Sequence, residues 1–589
     1  MLPPLTAKLS PHGVLGAWQQ RNAEATIPHC ITQLETSGVL DNFRRVVGES
    51  GAAYRGFVFA DSDLYKVIEA VAWEIGRSGT DRWDAWLDEV IGLVGRVQDS
   101  TGYVMTWIQG VHPEKRFAEL EWTHEMYVLG HLIQAAVALD RAAGRDDLLR
   151  IARRFTDLLH RHFGPGREEG VCGHPEIETA LVELYRHTGE ERDLTLAQRM
   201  IDLRGLGLLK TGHFGAQYFQ DHLPVRQART AVGHAVRQLY LNAGVTDLYL
   251  ETGEKELLEV QRAQWENVHQ RKMYITGAYG SRHRDEAFGD DYELPSDRAY
   301  AETCASIADL HWSWRMLLAT GESRYADVIE REIHNAIAAS VDASGTRFFY
   351  SNPLQLRPDR YDEENAPRER AAWYACACCP PNVARLVAQF GAYVASEGED
   401  EVRIHQYADA DIDLPAHLGE GVLEMRTDYP SSGTVELSVR GRLTPGVRLA
   451  LRIPDWSRGA LTPDEDGYLR VDPRPGFRLE LDVRPRWTRA HPRVDALRGC
   501  VALERGPIVY CVEQSSLPEG VAIDDLVIDV TVPPGPELTV HLVEAPAGLY
   551  QAAERVTTST ALAVPAVPFA TWGSTGSRAM RVWLPANDL

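Results

Sequence analysis

Between Glu286 and Asn382 the chain gathers the residue types that hold metal ions and attack electrophiles. Two short runs stand out, Glu302-Thr303-Cys304 and Cys376-Ala377-Cys378-Cys379-Pro380-Pro381-Asn382, and they contain four of the chain's eight cysteines. Zinc takes four ligands drawn from thiolate, imidazole and carboxylate, and Glu302, Cys304, Cys378 and Cys379 supply that number. Their spacing is not the Cys-x-x-Cys of zinc ribbons and fingers. Residues one or two apart do not share a helix face, so both pairs belong where the backbone turns, at helix starts or loop ends. Pro380-Pro381 fits a first helical turn and leaves Cys378 and Cys379 at or just before a helix N-terminus. There the helix dipole and a metal would both favour the thiolate. Three readings stay open on spacing alone: a catalytic metal centre, a closed structural zinc site, and four unligated packing cysteines.

A nearby acid separates these readings, because glycoside chemistry needs a group to protonate the leaving oxygen and a nucleophile or base opposite it. Glu286 lies sixteen residues before Glu302, in an acidic run with Asp290, Asp291, Glu293 and Asp297 that otherwise reads as a solvated loop. His-Glu-x-x-His is absent at His124-Glu125, since the position that would complete it is Val128. His131, His174 and His234 each follow a glycine at an expected helix start. On a repeated helical scaffold such histidines converge at one end of a central cavity and suit a neutral, hydroxylated ligand. Trp312, Trp314, Trp373 and Tyr374 are the expected packing surfaces for its apolar faces.

The elements that must position these groups show in the rest of the chain. From about residue 60 to 395 an apolar-periodic helix, a glycine turn and a second helix recur, the turns falling at Gly79, Gly144, Gly189, Gly253 and Gly321. Glycine ends the first helix of each pair by taking the left-handed conformation. Five hairpins, plus a sixth split between the first helix and one opening near Pro380, predict an (α/α)6 barrel. Past about residue 398, Val435–Arg440, Val447–Ile453 and Phe477–Val483 alternate apolar and polar residues, the period of half-buried strands. The expected fold is therefore multidomain: a barrel over residues 1–397 and a β-sandwich region, of one or two small sandwiches, over 398–589.

Bulk properties exclude several functions. A chain of 589 residues exceeds one core, and a net charge of −23 opposes nucleic-acid and anionic membrane surfaces. The N-terminal sequence lacks a signal-peptide pattern and no apolar run is long enough to span a bilayer, so a cytoplasmic protein is expected. In a reducing compartment cysteines bind metals or act as catalysts more often than they form disulfides. Cys30, Cys172, Cys500 and Cys511 are isolated and read as packing residues.

Tyr300-Ala-Glu302-Thr-Cys304-Ala, Cys378-Cys379-Pro-Pro-Asn382, Gly130-His131-Leu-Ile-Gln-Ala-Ala and Phe348-Phe-Tyr350-Ser-Asn-Pro-Leu resemble motifs of glycoside hydrolase family 127, typified by β-L-arabinofuranosidase. The C-terminal runs Arg505–Tyr510 and Met580–Pro585 extend the resemblance over nearly the whole chain. It implies a zinc-dependent retaining exo-glycosidase with a cysteine nucleophile. By position, Cys378 would be nucleophile and zinc ligand, Glu302, Cys304 and Cys379 the other ligands, and Glu286 the general acid/base. His131, His174, His234 and Tyr350 would contact substrate, with His124 the rival to His131. Cys376 has no role in the motif. The expected substrate is a small oligosaccharide or glycoside ending in β-L-arabinofuranose or a similar sugar, with no nucleic-acid or membrane partner and a homodimer through the β-sandwich region. Rival readings are a same-scaffold hydrolase for another unusual, pectic sugar, a carbohydrate-binding protein with structural zinc, and a sugar isomerase or epimerase.

Overall fold

The computed structural model describes residues 2–586 apart from 361–365, 367, 460, 473–475, 536 and 544–560. Its first two thirds are helical. Helices α1 (Val14–Arg21) and α2 (Ile27–Thr36) are joined by a wider turn at Asn22–Thr26, and α3 (Val39–Val46) follows. Then come the pairs α4 (Asp61–Ser78) and α5 (Asp84–Val97), and, after the short α6 (Thr106–Gly110), α7 (Glu125–Ala143) and α8 (Asp147–Phe163). The remaining pairs are α9 (Ile177–Thr188) with α10 (Glu191–Leu203), α11 (Ala235–Thr252) with α12 (Lys255–Arg271), and α13 (Thr303–Thr320) with α14 (Ser323–Glu332). Helix α15 (Cys379–Ala388) closes the helical part.

All five expected hairpin glycines cap the first helix of their pair. Gly79, Gly144, Gly189, Gly253 and Gly321 have φ between 65° and 73°, and each N–H closes on the carbonyl four residues back. A side chain at that φ meets the following backbone, so glycine is the low-strain choice.

The two helices of a pair differ in polarity, which decides their layer. Helix α8 buries one stripe, including Leu148, Ala152, Phe155 and Leu159, at the spacing of an amphipathic surface helix. Helix α7 is buried on nearly every face. The buried set α4, α7, α9, α11, α13 and α15 packs in sequence, and α15 also packs on α4, so each helix has two neighbours from the same set. Their N-terminal ends carry the candidate site.

The last third is β-rich. One five-stranded sheet runs in the order 4–5, 395–397, 401–404, 448–452, 468–471, and another in the order 477–480, 434–443, 419–426, 410–413, 7–9. The expected strands at 435, 447 and 477 all lie in these sheets. Register places Met425 opposite Leu437 and Leu423 opposite Val439, and Val402, Ile404, Leu423, Val435, Leu449 and Leu479 from both sheets share one apolar core. Strands Pro4–Leu5 and Ala7–Leu9, too short to show a period, are edge strands of these two sheets. A seven-stranded sheet, which includes Gln355–Leu356, and a three-stranded sheet follow. Among the described residues no helix is long and apolar enough to cross a membrane.

Candidate active site

The first helix turn of α13 begins with Glu302 as the capping residue and Cys304 two positions on. Thr303 fixes this turn to the neighbouring segment: its N–H donates to the Tyr350 carbonyl at 2.9 Å and its hydroxyl to the Phe349 carbonyl at 2.8 Å. At α15, Cys378 is the capping residue and Cys379 opens the helix, with prolines in the first turn. Proline there costs no hydrogen bond, because the first N–H groups of a helix have no internal acceptor. Two neighbouring helices thus aim their positive ends at one point, a setting that favours anionic donors.

At that point Sγ of Cys304 lies 3.5 Å from Sγ of Cys378 and 3.3 Å from that of Cys379, and the last two sulfurs are 3.8 Å apart. Ligand atoms of Glu302, Cys304, Cys378 and Cys379 all fall within 4.8 Å of one another, and all four residues are buried. A tetrahedral ion with metal–sulfur bonds of about 2.3 Å has sulfur–sulfur edges of about 3.8 Å. Oε2 of Glu302 has no hydrogen-bond partner among the described residues, a costly state for a buried carboxylate. The donor set, the spacing and this orphaned oxygen fit a bound metal ion.

Hydrogen bonds from the Cys304, Cys376 and Cys379 thiols, aided by the charge of Lys66, overcome burial and bring the Cys378 thiol well below its ordinary range. Burial, and then the neighbouring negative charges, pushes the Glu302 carboxyl well up. Burial is also the largest influence raising Cys379 and Cys304.

A cavity of about 790 Å³ opens onto the cluster, and Glu286, Glu302, Cys304, Cys376, Cys378, Tyr350, His174 and His234 line it. Glu286 is half-buried and accepts hydrogen bonds from Tyr300 at 2.8 Å and from His234 Nε2 at 2.9 Å. Burial raises its pKa, but these two contacts win and leave the carboxyl below its usual value. Carboxylate oxygens of Glu286 and Glu302 and a nitrogen of His234 also lie within 4.8 Å of one another. Asp285, Glu286 and Ala301 all have positive φ, a strained conformation for non-glycine residues that gathers at functional sites. Tyr350 donates its N–H to neither sulfur; its hydroxyl lies 3.5 Å from Cys378 Sγ and 3.7 Å from Cys376 Sγ.

His174 and His234 meet at 6.0 Å between ring centres, as their shared place before a helix suggests. His131 does not join them. It is fully buried behind Tyr127, 3.4 Å from Glu176, and does not line the cavity. Gly130 misled the sequence reading: α7 starts at Glu125, and Gly130 lies within it because a Cβ would come 2.6 Å from the Glu176 side chain. His124, the residue before α7, takes the expected place, 5.8 Å from His174. Burial and the nearby Arg237 charge bring His124 down to about 3, so it is a neutral ring.

The aromatic expectation also changes. Trp312 is fully buried, Trp314 lines a separate cavity at the opposite helix ends, and Trp373 and Tyr374 pack beside another small cavity. Trp107, Trp122 and Tyr218 line the large cavity instead. They sit in irregular or short segments where no periodicity marks them. Tyr300, Lys66 and Arg237 were likewise missed, Lys66 and Arg237 because a single cation inside an apolar helix carries no spacing signal. Cys30, Cys172 and Cys511 are buried and unpaired, as packing residues are.

Residues 8–392 match the family model described as the GH127 catalytic domain of β-L-arabinofuranosidase, and residues 485–585 match the glycoside hydrolase family 127 C-terminal domain. The non-reducing end β-L-arabinofuranosidase of Bifidobacterium longum subsp. longum is 38% identical over 527 residues, which is 82% of this chain and 80% of the relative. Among solved structures, a GH127 β-L-arabinofuranosidase from Geobacillus stearothermophilus T6 superposes with a TM-score of 0.92 at 34% identity, covering 99% of this chain and 100% of the other. The GH127 β-arabinofuranosidase BT3674 gives 0.88 at 30% identity, covering 100% and 98%.

Proposed function

The chain belongs to glycoside hydrolase family 127 and is a glycoside hydrolase; from that premise we propose that it is a zinc-dependent retaining exo-glycosidase that releases terminal β-L-arabinofuranose from oligosaccharides. The observation that carries the reading is a single cavity lined by both Cys378 and Glu286, with Glu302 within 4.8 Å of each. Cys378 is the nucleophile and Glu286 the general acid/base. Glu302, Cys304, Cys378 and Cys379 hold the zinc, which when bound keeps the sulfurs as thiolates at neutral pH.

In the first step the Cys378 sulfur attacks the anomeric carbon, the bond from that carbon to the leaving oxygen breaks, and the oxygen takes the proton of the Glu286 carboxyl, which is left ionised. In the second, ionised Glu286 takes a proton from water, the water oxygen bonds to the anomeric carbon, and Cys378 departs as thiolate. Two inversions at one carbon retain its configuration. The hydrogen bonds from Tyr300 and His234 keep Glu286 ionised in the open cavity, which suits the second step. Neutral His124, with His174 and Tyr350, orients the sugar hydroxyls.

We read the cycle of helical neighbours as an (α/α)6 catalytic barrel and the region from 398 on as β-sandwich, with strands Pro4–Leu5, Ala7–Leu9 and Ala395–Glu397, expected within the 1–397 domain, completing the sandwich sheets instead. The homodimer through that region is retained as a proposal, which light scattering decides. A panel of aryl glycosides that includes the β-L-arabinofuranoside, with zinc measured on the same sample, tests the central reading. Turnover of the arabinofuranoside with about one zinc per chain is expected; turnover of another glycoside only, or full activity without metal, overturns it.

A further inference from the structure

The cavity is larger than one terminal sugar requires. At about 790 Å³ it lies in the upper range of pockets for drug-sized ligands, roughly 300–1,000 Å³, whereas a pentose has only about ten non-hydrogen atoms. The surplus space has a definite position and lining. From Glu286 a row of rings leads outward: His234 to His174 at 6.0 Å, His174 to His124 at 5.8 Å, and His124 to Phe59 at 4.9 Å. Phe59 stacks on Phe57, whose ring planes differ by 14°, and Phe57 is 44% exposed. A second path runs from His234 to Tyr218 at 5.6 Å, and Phe214 then packs on both Tyr218 and Trp122.

The aromatic groups therefore form two shelves on the cavity lining, Phe57 with Phe59 and Tyr218 with Phe214 and Trp122, each linked through a histidine to the groups around Glu286. In the same lining Lys115 sits over the Trp107 ring and donates to Glu119 at 2.9 Å, so the cavity also offers a donor and an acceptor. Alternating apolar ring faces and hydroxyl partners match a carbohydrate, which presents C–H faces and hydroxyl edges together.

We propose that Phe57 and Phe59, Trp122, Phe214 and Tyr218, and Trp107, all lining this cavity, form a binding site for the leaving-group part of the substrate, which is a further one or more sugar units. This rests on the glycosidase reading above and deepens it. The outer shelves contribute to recognition of the oligosaccharide and not to bond breaking at the anomeric carbon.

The test compares an arabinofuranosyl disaccharide with methyl β-L-arabinofuranoside, which has nothing to place on the shelves. In Trp107→Ala and Phe57→Ala the ratio of kcat/KM for the disaccharide to that for the methyl glycoside should fall about tenfold for each ring removed, mainly through KM. Trp107→Phe should recover most of the loss. An unchanged ratio in both variants overturns the proposal while leaving the glycosidase reading intact. A wild-type enzyme that cleaves neither compound overturns the glycosidase reading itself. Phe57 is exposed enough that its removal leaves the fold intact, and a melting curve on each variant checks this.

Discussion

Replacing Glu286 by Gln removes the proton-carrying group and little else. The amide is the same size, keeps an oxygen to accept the Tyr300 hydroxyl, and meets His234 as a neutral partner in place of the charge-assisted contact at 2.9 Å. Losing that half-buried contact costs about 1–2 kcal/mol of stability, well inside the roughly 5–15 kcal/mol of a folded domain. A large rate loss is then chemical and not a failure to fold. General acid assistance is worth about 10²–10⁴ in rate, or about 3–5 kcal/mol at 1.4 kcal/mol per tenfold. For methyl β-L-arabinofuranoside, whose leaving group departs poorly unprotonated, kcat/KM should fall by the upper part of that range. For a nitrophenyl glycoside, which leaves without help, kcat/KM should fall by tenfold or less. Its kcat should still drop, because water in the second step loses its base, and azide should restore it by attacking without proton removal. Initial rates on both substrates, with and without azide, supply the numbers. Equal slowing of the two substrates, or no response to azide, refutes the acid/base role of Glu286.

Other outcomes follow from the same geometry. Cys378→Ser should lower turnover by roughly 10³-fold or more while Glu302, Cys304 and Cys379 still hold zinc; near-normal turnover with zinc retained ends the nucleophile assignment. Glu176 is buried beside His131, and burial raises its carboxyl from 4.5 to about 8. The folded chain then keeps a proton between about pH 4.5 and 8 that the unfolded chain has lost, so this group's contribution to stability is present below that window and is lost as pH rises through it. Glu176→Gln cannot ionise and should flatten the decline in urea midpoint between pH 5 and 8, by an amount on the order of several kcal/mol; an unchanged slope shows that Glu176 ionises normally.

Much of this arrangement is readable from residue order because it depends on local rules. The five capping glycines follow from the need for positive φ at a helix end. Glu302, Cys304, Cys378 and Cys379 stand out because two prolines locate a helix start beside two thiols. The strands at 435, 447 and 477 show an undisturbed period of two. What escaped depends on contacts between distant segments. Gly130 looks like a helix boundary but serves the close approach of Glu176, and that error moved a histidine two turns down its helix. Trp312 and Trp314 carry the right ring in the wrong layer, because a helix buried on all sides gives no sign of which face meets a cavity. Trp107, Trp122 and Phe214 lie in short or irregular segments that only the tertiary fold brings together. Asp291 and Glu293, expected in a solvated loop, are tied to Arg271 and Arg282, pairs separated by too little pattern to foresee.

The two strands at the start of the chain impose an order on folding. Pro4–Leu5 pairs with Ala395–Ser396, and Ala7–Leu9 pairs with Ala410–Ile412. During synthesis these first residues have no partner until roughly 400 more have been added, about 20–80 s at ordinary ribosome speeds of about 5–20 residues per second. Among the described residues all fifteen α-helices end at or before residue 388, so the helical part emerges whole while the strands ahead of it wait unpaired. Completion of the sheets then anchors the beginning of the chain next to the end of α15, the helix that carries Cys378 and Cys379. A pairing across about 390 residues therefore sits next to the helix that opens at Cys379, beside the buried Cys–Glu cluster.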